Sequence, residues 1–216
     1  MSRPVARTLG ALALLPALAA ARPPRPSTTP VAAPPRAGAL DTAVFAGGCF
    51  WGVEGVFEHV RGVRSATAGY AGGTVAAPSY EQVSTGETGH AESVRVVYDP
   101  SRVSYEQLLQ VFFTVAHDPT ELNRQGPDVG TQYRSAVFYR TPAQKAAVEG
   151  YVARLRSAHA FTRPIVTQVA PLTTFNVAEG YHQGYMARHP DAPYIVYNDA
   201  PKVAELKKRF SGLYQG

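Results

Sequence analysis

The sequence holds one cysteine, Cys49, within the stretch FAGGCFWG of residues 45–52. The segment TAVF (42–45) is β-branched and aromatic, which is typical of a strand, and apolar residues after the cysteine recur at helical spacing. Two glycines between these segments permit a tight turn with positive backbone angles. Cys49 is therefore expected at the first turn of a helix, where free N–H groups and the helix dipole favour a thiolate. The aromatic neighbours Phe50 and Trp51 favour a reactive cysteine over a buried structural one, which would need neither them nor the glycines.

Polar residues that could assist such a cysteine fall in two long loops. Tyr80 and Glu92 belong to the first loop, and Asp128 and Tyr133 to the second, which spans residues 117–133. Loops of this length inside a compact domain are usually functional. A neutral carboxyl and two phenols could donate hydrogen bonds to an oxygen as it leaves an electrophilic centre, and the aromatic pair beside the cysteine could hold a methyl or similar small group.

A metal site and a hydrolase are the alternatives to this interpretation. His90 and Glu92 match the H-x-E half of the zinc deaminase signature, but its P-C-x-x-C half requires two cysteines. Two Glu-x-x-His pairs, ending at His90 and His182, match di-iron ligand spacing, but the further glutamate-bearing helices are missing. We therefore expect no metal. A cysteine hydrolase stays an alternative without its family signatures, and no G-x-S-x-G motif supports a serine enzyme.

The N-terminal residues predict export. Arg3 and Arg7 precede an uncharged apolar run from Leu9 to Ala21, which ends in small residues that suit a signal peptidase. We expect residues 1–21 to be a signal peptide and the periplasm to be the destination. An organelle transit peptide is the alternative, and the uninterrupted apolar core argues against it. No cysteine follows the run, so no lipid anchor is expected there.

The charge of the chain depends on these first residues. The net charge of +5 includes five arginines and no acidic residue within residues 1–40, which leaves 16 basic and 16 acidic residues in 41–216. Nucleic acid is therefore not an expected partner. Residues 22–40 are rich in Pro and Ala and predict a disordered linker. The remaining stretch, of about 175 residues, suits one monomeric domain without a membrane anchor.

The periodicity predicts an α+β domain. Strands are expected at 42–45, 63–70, 91–99, 135–139 and 165–170. Helices are expected after Cys49 and at 105–116, 142–159, 179–189 and 201–210. The order β-α-β-β-α-β predicts a two-layer sandwich with a ferredoxin-like split βαβ core and C-terminal helical extensions.

Five motifs carry a family resemblance: GCFWGVE, GYAGG, SYEQVSTGETGHAESVRVVYDP, HDPTELNRQGPDVGTQYRSAVFY and AEGYHQGY. In this order, through most of residues 42–185, they closely resemble the A-type methionine sulfoxide reductases, the peptide-methionine (S)-S-oxide reductases. The resemblance implies an α+β sandwich of ferredoxin-like type in residues 41–216. It also implies reduction of the S epimer of methionine sulfoxide, free or in proteins, as repair under oxidative stress.

The resemblance implies a role for each candidate residue. Cys49 would attack the sulfoxide sulfur and become a sulfenic acid as methionine forms. Glu92, protonated in the resting site, would donate to the sulfoxide oxygen. Tyr80 and Tyr133 would hold the same oxygen, and Asp128 would support this polar network.

The apolar and histidine residues of the motifs complete the implied site. Phe50 and Trp51 would receive the methyl group of the substrate. Three histidines in the matching motifs are expected to be structural hydrogen-bonding residues: His90, His117 and His182.

One departure from the family concerns recycling. Many members carry further cysteines near the C-terminus, where this chain has a basic helical segment, APKVAELKKRFSGLY. No bound cofactor is expected, and the sulfenic acid would be resolved by an external thiol such as thioredoxin, glutaredoxin with glutathione, or a dithiol. A thiol peroxidase using Cys49 and a non-catalytic peptide-binding module are the alternatives. The first would prefer hydroperoxides, and the second would keep its function after Cys49→Ser.

Overall fold

The structure is a computed structural model that describes residues 38–216. The predicted signal peptide (1–21) and nearly all of the predicted linker (22–40) lie outside the described residues. Within the described part, no helix has the length and apolar character needed to cross a membrane.

Eight strands form a six-stranded mixed sheet and a small hairpin. The six-stranded sheet has the order β7-β6-β1-β3-β2-β8, and β4 pairs with β5 in the hairpin. The strands are β1 (Asp41–Gly47), β2 (Val63–Ala71), β3 (Ala91–Tyr98), β4 (Arg124–Gln125), β5 (Asp128–Val129), β6 (Ser135–Tyr139), β7 (Gln168–Pro171) and β8 (Phe175–Val177).

The helices pack against one face of the large sheet, and the last two helices follow the last strand along the chain. They are α1 (Phe50–Glu58), α2 (Tyr80–Ser84), α3 (Tyr105–Val111), α4 (Pro142–Ser157), α5 (Tyr185–Arg188) and α6 (Ala200–Arg209). Wider π-type turns at Phe112–Ala116 and Ile195–Asp199 adjoin α3 and α6. Ser79, Ser104 and Thr141 cap α2, α3 and α4, each accepting a hydrogen bond from the backbone N–H three residues on.

The central strands confirm the predicted fold class. β3 lies between β1 and β2 and pairs antiparallel with both, so β1 and β2 are parallel and α1 is the crossover between them. β6 pairs antiparallel with β1 on its other side, which completes the split βαβ arrangement. β7 adds to β6 in parallel, and this pairing makes the sheet mixed.

The main core lies between the sheet and the helices. Phe45 of β1 stacks on Phe57 of α1 and on Phe112, with ring centroids 5.1 and 4.8 Å away. Alternate residues of β3, such as Val94 and Val96, point into this same core. Burial of these apolar side chains is the main force that holds α1, and with it Cys49, against the sheet.

Two predicted elements differ from the structure. The helix expected at 179–189 is limited to α5 (Tyr185–Arg188), because Gly184 adopts a left-handed conformation with φ +57° that ends the preceding turns. The strand expected at 165–170 is shifted to β7, where pairing with β6 begins at Gln168. Four short elements were not predicted: α2, β4, β5 and β8.

Glycines of α1 let two C-terminal segments approach its surface. A Cβ atom at Gly52 would lie 2.0 Å from Oδ1 of Asp199, and one at Gly55 would lie 2.6 Å from Sδ of Met186. The C-terminal residues therefore rest on the helix that follows Cys49.

Candidate active site

Cys49 lies between β1 and α1, where the sequence placed it. Gly48 has φ +88°, a turn that also lets Gln125 of the hairpin approach, since a Cβ at Gly48 would lie 2.5 Å from Gln125 Cβ. Cys49 is the N-cap residue of α1, and its side chain is buried with 9% of the residue exposed. This is the strand-turn-helix setting that the pattern of residues 42–60 predicted.

The expectation that this position favours a thiolate is wrong for the substrate-free site. Burial raises the pKa of the Cys49 thiol well above its usual range, and the charges of Glu92 and Asp199 raise it further. The backbone N–H of Trp51 at the start of the helix lowers this pKa, as predicted, but does not outweigh burial. Cys49 therefore rests as a thiol.

Glu92 lies beside the cysteine on the helix-covered face of β3. It is 2% exposed, and its Oε2 accepts a hydrogen bond of 3.0 Å from the backbone N–H of Phe50. Burial raises the Glu92 pKa to about 8, although the Phe50 N–H lowers it. The carboxyl group therefore carries its proton at neutral pH, as the resemblance implied.

Both candidate phenols lie close to this pair. Tyr80 is the first residue of α2, and its backbone N–H donates to Oε1 of Glu179 over 2.8 Å. Tyr133 ends the 3-10 turn Thr131–Tyr133. Burial raises the pKa of both phenols, and Glu92 and Cys49 would raise it further once ionised. Each phenol therefore remains a proton donor across the physiological range.

Asp128 reaches the site from the hairpin. It pairs with Gln125 across β4 and β5, and its Oδ2 accepts a hydrogen bond from the hydroxyl group of Tyr194. Tyr194 is a site residue that sequence reasoning missed. Its segment, DAPYIVYND, has no periodicity or motif that indicates a return to Cys49.

Phe50 and Trp51 form an aromatic wall at the start of α1. The buried ring of Phe50 lies 4.9 Å from the ring of His182. Trp51 stacks on Tyr185 with centroids 3.7 Å apart and meets the edge of Tyr194 at 5.9 Å. Tyr185 was also missed as a site residue, although it lies at the end of the motif AEGYHQGY.

The three motif histidines make structural hydrogen bonds, as expected. His182 Nδ1 accepts from the Trp51 indole N–H over 3.1 Å, which assigns the proton of the neutral ring to Nε2. His90 accepts from the Gly73 N–H at 3.2 Å and contacts the Val75 carbonyl at 2.8 Å. The ring nitrogens of His117 contact the Phe112 carbonyl and the Ser135 hydroxyl.

A small cavity opens at the cysteine. It measures about 80 Å³ and is lined by Cys49, Gln125, Gly126, Pro127, Asp128, Tyr194, Asn198 and Lys202. Among residues 38–216, no group of three or more His, Cys, Asp or Glu side chains could hold a metal ion.

The six other predicted site residues thus lie around the buried thiol of Cys49. A protonated carboxyl, protonated phenols and an aromatic wall beside a cysteine define the site of a thiol-dependent oxidoreductase that handles a polar oxygen on a small apolar group.

Comparison with known proteins shows the family. The profile of the peptide methionine sulfoxide reductase family matches residues 41–213. The peptide methionine sulfoxide reductase MsrA 2 of Mesorhizobium japonicum is 56% identical over 174 residues, covering 81% of this chain and 89% of the relative. The MsrA of Deinococcus radiodurans is 49% identical over 172 residues, covering 80% and 83%. The solved methionine sulfoxide reductase A of Corynebacterium diphtheriae is 37% identical with a TM-score of 0.62, covering 72% and 78%.

The chain belongs to the peptide methionine sulfoxide reductase family. The predicted fold class, enzyme class and repair reaction, the reduction of peptide methionine sulfoxide to methionine, are confirmed, and the peroxidase alternative is not favoured.

Proposed function

We propose that Cys49 and Glu92 together carry out the reductase step. The Cys49 sulfur attacks the sulfoxide sulfur while the Glu92 carboxyl donates its proton to the sulfoxide oxygen. The proton that the Cys49 thiol loses in this attack restores the Glu92 carboxyl. Oxygen moves from the substrate to Cys49, which becomes a sulfenic acid and is oxidised by two electrons as the substrate is reduced to methionine. The single observation that carries this assignment is a buried, protonated Glu92 beside a buried Cys49.

The phenols and Asp128 support the same oxygen. Tyr80 and Tyr133 keep their protons, because burial raises their pKa values, so both can donate hydrogen bonds to the sulfoxide. Asp128 acts through Tyr194, whose hydroxyl donates to it. Donors fixed before substrate arrives stabilise a developing negative oxygen without reorganisation.

The methyl group of the substrate is assigned to the aromatic wall. Phe50 is buried, and Trp51 is held on three sides by the His182 hydrogen bond, the Tyr185 stack and the Tyr194 edge. A flat, fixed apolar surface suits an S-methyl group, and it orients the sulfoxide so that its oxygen meets the proton donors.

An external thiol resolves the sulfenic acid in this proposal. The sequence has one cysteine, so no second thiol of the chain can form an internal disulfide with it. A thiolate from thioredoxin, glutaredoxin, glutathione or a small dithiol attacks the oxidised Cys49 sulfur, and a mixed disulfide forms.

A single-turnover experiment tests the reductase step. The reduced full-length protein receives a peptide with S-methionine sulfoxide in the absence of any thiol. We expect one methionine peptide per enzyme and one added oxygen, or its trapped adduct, on the Cys49 peptide by mass spectrometry. Cys49→Ser serves as the inactive control, and a peptide with the R epimer tests the stereochemistry.

Two outcomes would contradict the proposal. Repeated turnover without added thiol would show another source of electrons. Absence of the methionine product, with Cys49 oxidised by hydroperoxide alone, would favour the thiol peroxidase alternative.

We also propose that the protein is exported to the periplasm. Support comes from Arg3, Arg7 and the apolar run from Leu9 to Ala21. N-terminal sequencing of the protein recovered from a cell fraction checks this, and recovery of an uncleaved chain from the cytosol would contradict it.

A further inference from the structure

The cavity beside Cys49 is chemically different from the predicted sulfoxide site. It shares Cys49, Asp128 and Tyr194 with that site, whereas Phe50, Trp51, Tyr80, Glu92 and Tyr133 do not line it. Its other walls come from the β4–β5 hairpin and from the C-terminal residues that rest on α1. Cys49 can therefore be approached from a second direction.

Lys202 brings a positive charge to this cavity. Its Nζ lies 3.0 Å from Oδ1 of Asp199, one helical turn earlier, and its side chain is 20% exposed. Asp199 is fully buried, and its Oδ2 has no hydrogen-bond partner within residues 38–216. Since a buried carboxylate strongly favours a nearby cation, Asp199 holds the Lys202 ammonium at the cavity wall.

The size of the cavity limits what can enter. A volume of about 80 Å³ holds several water molecules or the CH₂–S end of a thiol, but not a whole tripeptide or a methionine side chain with its backbone. The polar lining, with Gln125, Asn198 and the Lys202 ammonium, suits a charged sulfur more than a thioether.

Resolution of the sulfenic acid uses a negatively charged thiolate, which the positive charge of Lys202 would attract. A thiolate R–S⁻ attacks the Cys49 sulfur, the S–S bond forms, the S–O bond breaks, and hydroxide leaves as water after it takes a proton. A second thiol then reduces the mixed disulfide, so two thiols become one disulfide and Cys49 returns to its reduced form. A cation at the entry attracts the thiolate and can supply the proton to the leaving hydroxide.

We propose that this cavity is the entry subsite for the resolving thiolate and that Lys202, held by Asp199, is a catalytic residue of the recycling step. The inference rests on the proposed single-cysteine function. It assigns to the C-terminal helix a role in the second half of the reaction, through a charge and without a second cysteine.

Pre-steady-state kinetics on the full chain test this inference. The sulfenic acid is first formed with one equivalent of S-sulfoxide peptide, and the yield of methionine verifies the reductase step in each variant. One of three small thiols is then added: 2-mercaptoethanesulfonate, 2-mercaptoethanol or cysteamine, which are anionic, neutral and cationic outside the thiol. Mixed disulfide on Cys49 is followed by rapid quench and mass spectrometry.

Lys202→Met removes the charge and keeps the apolar stem. We expect its rate constant for mixed-disulfide formation to fall about tenfold, since one charge interaction at a partly desolvated site changes a barrier by this much. The fall should be largest with 2-mercaptoethanesulfonate. Lys202→Arg should keep most of the rate. Lys208→Met, which removes an exposed charge from the same helix, should match the wild type.

Some outcomes would overturn the role of Lys202, and others would contradict the proposed function itself. Equal rate constants for Lys202→Met and Lys208→Met overturn the inference, and so does an equal loss in Lys202→Met and Lys202→Arg, which would indicate packing and not charge. Repeating the assay with thioredoxin shows whether a protein thiolate uses the same subsite. A wild-type protein that yields no methionine would instead contradict the proposed function, and one that forms methionine but no mixed disulfide would overturn the entry subsite.

Discussion

Two groups at the centre of the site, the Cys49 thiol and the Glu92 carboxyl, rest in their protonated forms because burial raises both pKa values. Removal of an oxygen atom as water consumes two protons in total. The site therefore stores protons where the reaction needs them, and the dipole of α1 has less influence on the resting cysteine than the loss of solvent.

Replacement of Glu92 tests this statement. Glu92→Gln should slow the single-turnover rate by about 100-fold, the lower end of what general acid catalysis supplies. The wild-type rate should also fall as pH rises above about 8, where Glu92 loses its proton, and this decline should vanish in the variant. Rapid-quench assays between pH 6 and pH 10 measure both effects.

Glu87→Gln is the control, since Glu87 is an exposed residue of the loop that precedes β3, the strand of Glu92. A Glu92→Gln variant with wild-type rate and an unchanged pH profile would exclude Glu92 as the acid.

The hydrogen bond between Tyr194 and Asp128 joins the C-terminal segment to the hairpin. Tyr194→Phe should lower kcat/KM by about tenfold, since one hydrogen bond is removed from a largely buried site. Asp128→Asn should add little to this loss in the double variant, because both changes act on one interaction. Steady-state kinetics with the peptide sulfoxide give kcat/KM for the wild type, both single variants and the double variant.

Tyr197→Phe provides the comparison, because Tyr197 is 79% exposed and lies one turn away. Additive losses in the double variant would show that Tyr194 and Asp128 act independently.

Among the elements, the contact between α1 and the C-terminal segment requires a glycine, Gly52, because no side chain fits there. Gly52→Ala would place a methyl group 2.0 Å from Asp199 Oδ1, so the segment must shift or the ion pair must break. We expect a loss of roughly 2 kcal/mol in the free energy of unfolding, as in other overpacked sites. Urea denaturation measures this loss.

Gly150→Ala is the matched control in α4. The nearest neighbour of a Cβ there is Arg154 Nη1 at 4.0 Å, so this change should stabilise the protein by about 0.5–1 kcal/mol. Equal effects of the two substitutions would mean that Asp199 does not rest on Gly52.

The elements that sequence reasoning placed well are those with local signals. The Ser104 capping box, Pro142 at the start of α4 and the alternation of β3 all depend on neighbours within a few residues. Tyr194 and Lys202 depend on the return of the C-terminal segment to α1, which no local pattern encodes. The raised Cys49 pKa was missed for a related reason, since burial results from the whole fold while the helix start is visible in the sequence.

At the scale of the whole molecule, two buried glutamates link stability to pH. Burial raises the folded-state pKa of Glu54 to about 7 and of Glu92 to about 8, above their usual 4.5. The folded protein therefore holds more protons than the unfolded chain between about pH 4.5 and 8. Their contribution is fully present below pH 4.5 and is lost as pH rises through these values.

The double variant Glu54→Gln/Glu92→Gln tests this linkage. Relative to wild type, its free energy of unfolding should increase steadily from pH 5 to pH 8, by roughly 3 kcal/mol or more. A glutamine at position 92 retains an acceptor for the Phe50 N–H. At position 54 it retains an acceptor for only one of the Ala68 and Gly184 N–H groups, which Glu54 binds through its two separate oxygens. That loss is the same at every pH, so it leaves the expected pH trend unchanged. A difference that stays constant with pH would mean that neither carboxyl titrates with folding.

Met186, which lies against Gly55, gives the enzyme an unusual relation to its own substrate. The sequence has two methionines, Met1 and Met186, so a chain that repairs oxidised methionine offers oxidants very few targets of its own. Met186 follows Tyr185 in the chain, and the ring of Tyr185 stacks on Trp51. Oxidation of that thioether would introduce a polar oxygen into a contact that a glycine keeps tight. Within residues 38–216, oxidative damage to methionine is thus confined to the sulfur of Met186, beside the aromatic wall to which we assign the methyl group of the substrate.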